Sequence, residues 1–292
     1  MTTMDTFAVI GGDLRTTYLA GQLAQDGYKV ITVGFDNADL PSCVVGCNRL
    51  SQAIAPADCV ILPVPVSTDG IHVNAPFARM PLPLSGVLDC LDPGQYVVGG
   101  NVTGEVLEQF ASRGLHIDDY LRREELAVQN AVPTAEGAIQ LAMEELPVTI
   151  NGASCLITGY GRVARVLSRL LVALGANVTV AARKCADLAW AATMGCTAVH
   201  LRDLPDAGVF DVIFNTAPAL LFDDTVLSAL DPGTLLIDLA SKPGGVDFHA
   251  AAEHHIKTIW ALSLPGRVAP KSAGGILKNT ILNMVKEREG TV

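Results

Sequence analysis

Near the middle of the chain, Ser154-Cys-Leu-Ile-Thr-Gly159-Tyr160-Gly161-Arg162-Val163-Ala164 places a G-x-G-x-x-A turn between an apolar run and a helix-periodic stretch. No other segment restricts the fold so strongly. Among 27 glycines in 292 residues, two glycines at that spacing mean little alone, so the context has to decide. Leu156 to Thr158 lie in a short apolar run, and Val163, Val166, Leu167, Leu170, Leu171 and Leu174 recur at helical spacing until Gly175 stops the helix. Asn177-Val-Thr-Val-Ala-Ala182 then supplies a second strand and completes a βαβ unit. In such a unit Gly159 permits the tight turn, Gly161 lets the backbone approach a pyrophosphate, and Ala164 lets helix and strand pack closely. The helix N-terminus offers free N–H groups and a positive dipole end. The turn therefore predicts a dinucleotide site whose first candidate contacts are Gly159, Tyr160, Gly161, Arg162 and Val163; the alternative is a glycine-rich βα turn without a ligand.

The end of the second strand bears on which dinucleotide. NAD-preferring sites carry an Asp or Glu about 20 residues past the glycines to accept from the ribose 2′-hydroxyl. Here Ala181-Ala182-Arg183-Lys184 occupies that place. Arg183, with its planar fork, and Lys184, as a point charge, suit a 2′-phosphate. NADP is accordingly expected over NAD, with NAD kept open, since the two cations would also serve simply to solvate a strand end.

The length suits about two domains, and 50% hydrophobic against 17% charged residues suits strands buried on both faces. A formal net charge of −10 argues against nucleic acid or an anionic membrane as partner, because both need a basic footprint. The first residues lack the charged, apolar and small-residue pattern of a signal peptide, and no apolar run approaches a membrane span. A cytoplasmic protein is expected. Seven cysteines (Cys43, Cys47, Cys59, Cys90, Cys155, Cys185, Cys196), odd in number and without a C-x-x-C pair, read as reduced thiols, and the six histidines show no ligand spacing, so no metal site is expected.

The first half repeats the same rhythm. Phe7 to Ile10 reads as a buried strand, Gly11-Gly12-Asp13 as a turn, Leu14 to Asp26 as a helix closed by Gly27, and Lys29 to Val33 as the next strand. Cys59 to Leu62 and Tyr96 to Val98 are further strands that feed loops at their carboxyl ends, where open α/β sheets place ligands. The Gly11-Gly12 turn lacks the dinucleotide spacing. It reads either as an anion pocket built from turn N–H groups, a helix N-terminus and Arg15, or as an ordinary βα turn with a surface arginine. In the second half, Asn215 to Pro218 after the fourth strand, with Thr216 and Ala217 among them, should line the nicotinamide ribose, and Ala240 to Lys242, including Ser241, the ring; the alternative is that these loops are plain strand exits.

These readings combine into an α/β protein of two doubly wound, parallel-sheet, Rossmann-like domains separated by a cleft and joined by two helices. Residues 1–132 form the expected substrate domain, residues 133–148 a linking helix with Thr134 as N-cap, and residues 149–272 the NADP domain. An amphipathic helix over 273–288 is expected to pack back on the first domain.

Taken together, Gly11-Gly12-Asp13-x-Arg15, Asn130-x-Val-Pro-Thr-Ala-Glu136-Gly137, Gly159-Tyr-Gly-Arg162-Val and Leu264-Pro-Gly-Arg267-Val-Ala-Pro-Lys-Ser-Ala-Gly274 resemble the dipicolinate synthase A subunits of spore-forming bacteria over nearly the whole chain. The resemblance implies a pyridine-nucleotide oxidoreductase of the sporulating mother cell. With a flavoprotein-like B subunit, it turns a dihydrodipicolinate-type precursor from the lysine pathway into dipicolinate. The wider architecture resembles alanine dehydrogenases and 2-hydroxyacid dehydrogenases, which by analogy implies a homo-oligomer. The Pro-His catalytic pair of the latter is missing, which disfavours hydroxyacid oxidation.

Aromatising such a precursor requires loss of a hydride and a proton, and of water where the hydroxyl is still present. The protein must hold two carboxylates and orient one C–H toward the cofactor. Candidate contacts to a small dicarboxylate are Arg15, Ser85, Arg123, Arg267 and Lys271; candidate proton-transfer groups are Lys242, Glu124 and Asp119. Two other readings stand beside this one: an alanine-dehydrogenase-like or imine-reducing enzyme on another small acid, and a non-catalytic nucleotide-sensing subunit.

Overall fold

A strand covered on both faces needs apolar side chains at successive positions, and the strands of this chain divide them between two cores. The computed structural model describes residues 4–290. In the first half, Phe7 and Val9 enter one cluster and Ala8 and Ile10 the other; Ile61 and Val60 divide likewise. In the second half Cys155 and Ile157 face one core and Leu156 the opposite one, a pattern repeated by Val212, Ile213 and Phe214 and by Leu235, Leu236 and Ile237.

The first half runs β1 (Thr6–Ile10), α1 (Leu14–Gln25), β2 (Lys29–Val33), β3 (Val45–Gly46), α2 (Leu50–Ile54), β4 (Cys59–Ile61), a hairpin of β5 (His72–Val73) and β6 (Leu82–Pro83), α3 (Leu84–Leu88), β7 (Tyr96–Gly99), α4 (Gly104–Ser112), β8 (Asp118–Asp119) and the start of α5 (Glu124–Glu145). The second runs β9 (Ser154–Thr158), α6 (Arg162–Ala173), β10 (Asn177–Ala182), α7 (Cys185–Thr193), β11 (Thr197–His200), β12 (Val212–Asn215), α8 (Asp224–Ser228), β13 (Leu235–Asp238), α9 (Phe248–Glu253), β14 (Lys257–Trp260) and α10 (Leu264–Val268), after which α11 (Pro270–Glu289) closes the chain.

Among the described residues the strands make two six-stranded parallel sheets, ordered β3-β2-β1-β4-β7-β8 and β11-β10-β9-β12-β13-β14. In each, the chain first builds outward on one side of its first strand and then returns to the other. That places a topological switch point at β1/β4 and at β9/β12, where doubly wound sheets receive ligands. Two α/β Rossmann-like units result, one ending at Gln129 and regaining the residues from Ala269, the other spanning Asn130–Val268. In the first unit α11 contributes Leu277, Ile281, Met284 and Val285 to the core that holds Phe7, Val9, Leu19 and Leu23. Among the described residues no helix is long and apolar enough to cross a membrane.

One boundary differs from the sequence-based expectation. The helix expected to start at Thr134 starts at Glu124, with Pro133 inside it, and the Thr134 hydroxyl donates to the Asn130 carbonyl at 2.7 Å instead of capping an N-terminus. Proline at position 133 removes one backbone donor, and its partner four residues back, Gln129, lies on the exposed side where water can replace the bond. Glu124 and Glu125 in the first turn favour the earlier start by their position at the positive end of the helix.

Candidate functional site

The glycine turn sits at the β9/β12 switch point of the second unit. Gly159 adopts φ +87°, and a Cβ there would lie 2.8 Å from the Thr216 hydroxyl, so glycine is required on both counts. Its N–H donates to the Ala181 carbonyl at 2.9 Å, tying the turn to the strand that delivers Arg183 and Lys184. Gly161 is the N-cap of α6 without a side-chain cap, and nothing lies within 4 Å of the position its Cβ would take. No acidic residue occupies the first turn of α6, so the positive end of a 12-residue helix opens into clear space beside Gly161. Arg183 and Lys184 are exposed beyond the carboxyl end of β10. These residues fit a dinucleotide: an open cradle for a pyrophosphate, with two cations one strand away.

Three loops meet at this edge, and buried side chains join them. The Thr158 hydroxyl donates to Asn215 Oδ1 at 2.7 Å, and Asn215 Nδ2 donates to Asp238 Oδ1 at 2.8 Å. All three residues are 0% exposed. Asp238 also accepts the Ala240 N–H at 3.0 Å and the Gly245 N–H at 2.8 Å. The amide orientation of Asn215 follows from its partners, since the Ala217 N–H, a donor only, also meets Oδ1 at 3.2 Å. Sequence reasoning did not single out Thr158 or Asp238. The available signal was an aspartate closing an otherwise apolar strand, Leu235-Leu-Ile-Asp238, which buries a carboxylate that must find donors.

Two cofactor expectations are corrected by burial. The Asn215 side chain is buried and spends its hydrogen bonds on Thr158, Ala217 and Asp238. Tyr160 is 7% exposed, with its ring under the Arg165 guanidinium at 5.4 Å and its carbonyl accepting from Arg165 Nε at 3.2 Å, so only its backbone belongs to the turn. Burial also raises the Tyr160 hydroxyl pKa. Arg162 and Val163 occupy the first turn of α6, Thr216 spends its hydroxyl on the Thr158 carbonyl at 2.8 Å, and Ala217 is half-buried beside it. Ser241 and Lys242 are exposed in the loop after β13, where the Ser241 carbonyl accepts the Gly244 N–H at 2.8 Å. Arg267 is exposed at the end of α10.

In the first unit the anion-pocket expectation is corrected. Asp13 caps α1 by accepting the Arg15 N–H at 2.9 Å, and it also takes the Arg15 guanidinium at 2.7 Å. A fixed carboxylate thus already fills the positive helix end and neutralises the arginine. Arg123 is similarly engaged, donating to both Glu287 oxygens at 2.6 and 2.7 Å and to Glu125 at 2.8 Å, which raises its own pKa and lowers those of both carboxylates. Asp119 accepts N–H groups of Leu121, Asn101 and Val102 at 2.9, 3.2 and 3.1 Å, so it clamps the loop after β7 and is not a free base. Glu124 opens α5, Ser85 lies exposed in the short α3, and Lys271 lies exposed in the first turn of α11. Among the described residues no group of three or more His, Cys, Asp or Glu could hold a metal ion. Burial pushes the Cys155 thiol up to about 12, leaving it an inert core residue.

The family model for the N-terminal domain of the dipicolinate synthase A subunit matches residues 6–121. Across the whole chain, the dipicolinate synthase A subunit of Bacillus subtilis (strain 168) is 36% identical over 285 residues, covering 96% of this chain and 95% of that one. The chain belongs to the family of dipicolinate synthase A subunits. The crystal structure of the Bacillus halodurans dipicolinate synthase A subunit superposes with a TM-score of 0.89 at 31% identity, over 98% of this chain and 99% of that one. Beyond the family the fold alone extends to L-alanine dehydrogenase, with a TM-score of 0.67 at 15% identity over 96% of this chain and 90% of that one. Within this member of the family, the features of the glycine turn stand apart from the ion-paired Arg15 and Arg123, whose sequence setting had suggested open cationic contacts.

Proposed function

We propose that this chain is the dehydrogenating A subunit of a dipicolinate synthase, oxidising a dihydrodipicolinate or hydroxytetrahydrodipicolinate precursor to dipicolinate with NADP⁺ in the sporulating mother cell. A flavoprotein-like B subunit is its partner, and copies of the chain associate with one another. The observation that carries the reading is full-length similarity to a dipicolinate synthase A subunit, together with an uncapped glycine turn at the switch point of the second unit.

From the hydroxylated precursor, water leaves first; the dihydropyridine then loses one hydride and one proton, and the product is the aromatic dicarboxylate. Bound NADP⁺ supplies the hydride acceptor. The N–H groups at the start of α6 hold the pyrophosphate, and Arg183 and Lys184 pair with the 2′-phosphate. The Thr216-Ala217 and Ser241-Lys242 loops border the nicotinamide end, and Lys242 is the candidate group for taking the ring proton. Arg267 is the candidate contact for a substrate carboxylate. Because aromatisation itself drives the reaction forward, the protein's work is mostly orientation and exclusion of water.

The deciding assay combines the purified protein, its B partner, NADP⁺ and the lysine-pathway precursor. NADPH and the ultraviolet absorbance of pyridine dicarboxylate should rise together; absence of the dicarboxylate signal with both subunits present overturns the reading. Replacing Arg183 and Lys184 by alanine should weaken NADPH binding roughly 10- to 100-fold, corresponding to about 1.5–3 kcal/mol for a lost charged hydrogen bond. NADH binding should hardly change. Calorimetric titration with both nucleotides checks this, and equal loss for the two would remove the 2′-phosphate assignment.

A further inference from the structure

We propose that Thr158 and Asp238 are positioning residues for the dinucleotide, setting cofactor affinity from inside the sheet without touching the ligand; this rests on the cofactor reading given above. The geometry is a single buried relay across three adjacent strands. It begins at Thr158, the last residue of β9 before the glycine turn, passes through Asn215 at the end of β12, and finishes at Asp238 at the end of β13.

Each loop that borders the site is fastened to a member of the relay. The Thr158 carbonyl takes both the N–H and the hydroxyl of Thr216, at 3.1 and 2.8 Å. Asn215 takes the Ala217 N–H and gives to the Ala217 carbonyl at 3.1 Å, while its own carbonyl takes the Leu239 N–H at 2.8 Å. Asp238 holds both ends of the Ala240–Gly245 loop, one oxygen on each. The packing admits nothing else: a Cβ on Gly245 would lie 2.2 Å from Asn215 Nδ2, and one on Gly244 would lie 2.8 Å from Asp238 Oδ2. The loops are therefore fixed relative to one another before a ligand arrives. Pre-organised groups lose little freedom on binding, and that saving appears as affinity.

A merely structural role would lower stability and leave the affinity of the folded protein intact. The same sheet supplies a control at its opposite end, where the buried Thr234 hydroxyl donates to the Phe210 carbonyl at 2.9 Å. The experiment measures NADPH and NADH affinity by calorimetry, well below the unfolding temperature of each variant, together with thermal unfolding. Thr158→Val and Asp238→Asn should weaken binding of the preferred dinucleotide by about tenfold or more, and Thr158→Ser, which keeps the hydroxyl, should restore affinity to within about twofold. Thr234→Val should lose thermal stability and keep its affinity. Unchanged affinity in Thr158→Val and Asp238→Asn, or an equal loss in Thr234→Val, overturns the proposal alone. Absence of binding of either dinucleotide by the unmodified protein overturns the cofactor reading and the proposal with it.

Discussion

Gly161→Val is expected to remove dinucleotide binding while leaving the fold in place. Gly161 has φ −83° and ψ −161°, so no left-handed backbone opposes a side chain there, and no heavy atom lies within 4 Å of the site of its Cβ. The penalty to folding is that of a poorer N-cap, up to about 1 kcal/mol. The space the new side chain fills is the space a pyrophosphate needs in order to reach the first N–H groups of α6. Displacing the anion forfeits charge-assisted hydrogen bonds worth roughly 1.5–3 kcal/mol each, so two of them amount to a loss of about 100-fold or more. The binding term exceeds the folding term several times over. Calorimetric titration with NADPH beside a thermal melt reads the two separately. Wild-type affinity in this variant would mean that the anion lies elsewhere.

Gly274→Ala should do the reverse, destabilising the first unit with no effect on the cofactor site of the second. Intrinsic propensity alone predicts stabilisation, because alanine in a helix interior is better than glycine by about 1 kcal/mol. The packing reverses the sign. A Cβ at Gly274 would lie 2.6 Å from the Arg15 carbonyl oxygen, 2.9 Å from Tyr18 Cβ and 3.0 Å from the Leu19 N, so it meets the backbone of α1, which cannot turn aside as a flexible side chain can. Separating two packed helices also loosens the cluster of Leu19, Leu23, Leu277 and Ile281. Overpacking of this kind costs about 1–3 kcal/mol and more where backbone must shift, so a net loss of roughly 2 kcal/mol is expected. Urea unfolding followed by circular dichroism measures it, and an unchanged or higher midpoint would show that α1 and α11 have room to separate without loss.

The central strands were legible because both faces of each are buried, which writes them into the sequence as apolar runs such as Phe7 to Ile10 and Val212 to Phe214, whereas edge strands such as Val45–Gly46 are exposed and leave no such run. The start of α5 was not, since Thr134 behind Pro133 has the local signature of a helix entry while the exposed face at Gln129 lets the helix pass through it. Arg123 read as an open cation because Glu287 meets it from 164 residues away; Arg15 has its partner, Asp13, only two residues before it, and the folded turn closes that pair. Tyr160 read as a ligand contact because it stands between two glycines, and only the packing of α6 shows that its ring turns inward against Arg165.

By itself the sequence determined two doubly wound α/β units, a dinucleotide-type turn at Gly159 to Ala164, and cations rather than an acid after β10. These are local matters of periodicity, backbone freedom and residue type over short spans. The tertiary structure alone decided which charged groups are already engaged, as in Arg123 with Glu287, and that Thr158, Asn215 and Asp238 meet in one buried relay. Those residues lie 57 and 23 positions apart. Their contact is created by strand order, which hydrogen bonding and burial settle between β9, β12 and β13 and which no local pattern encodes.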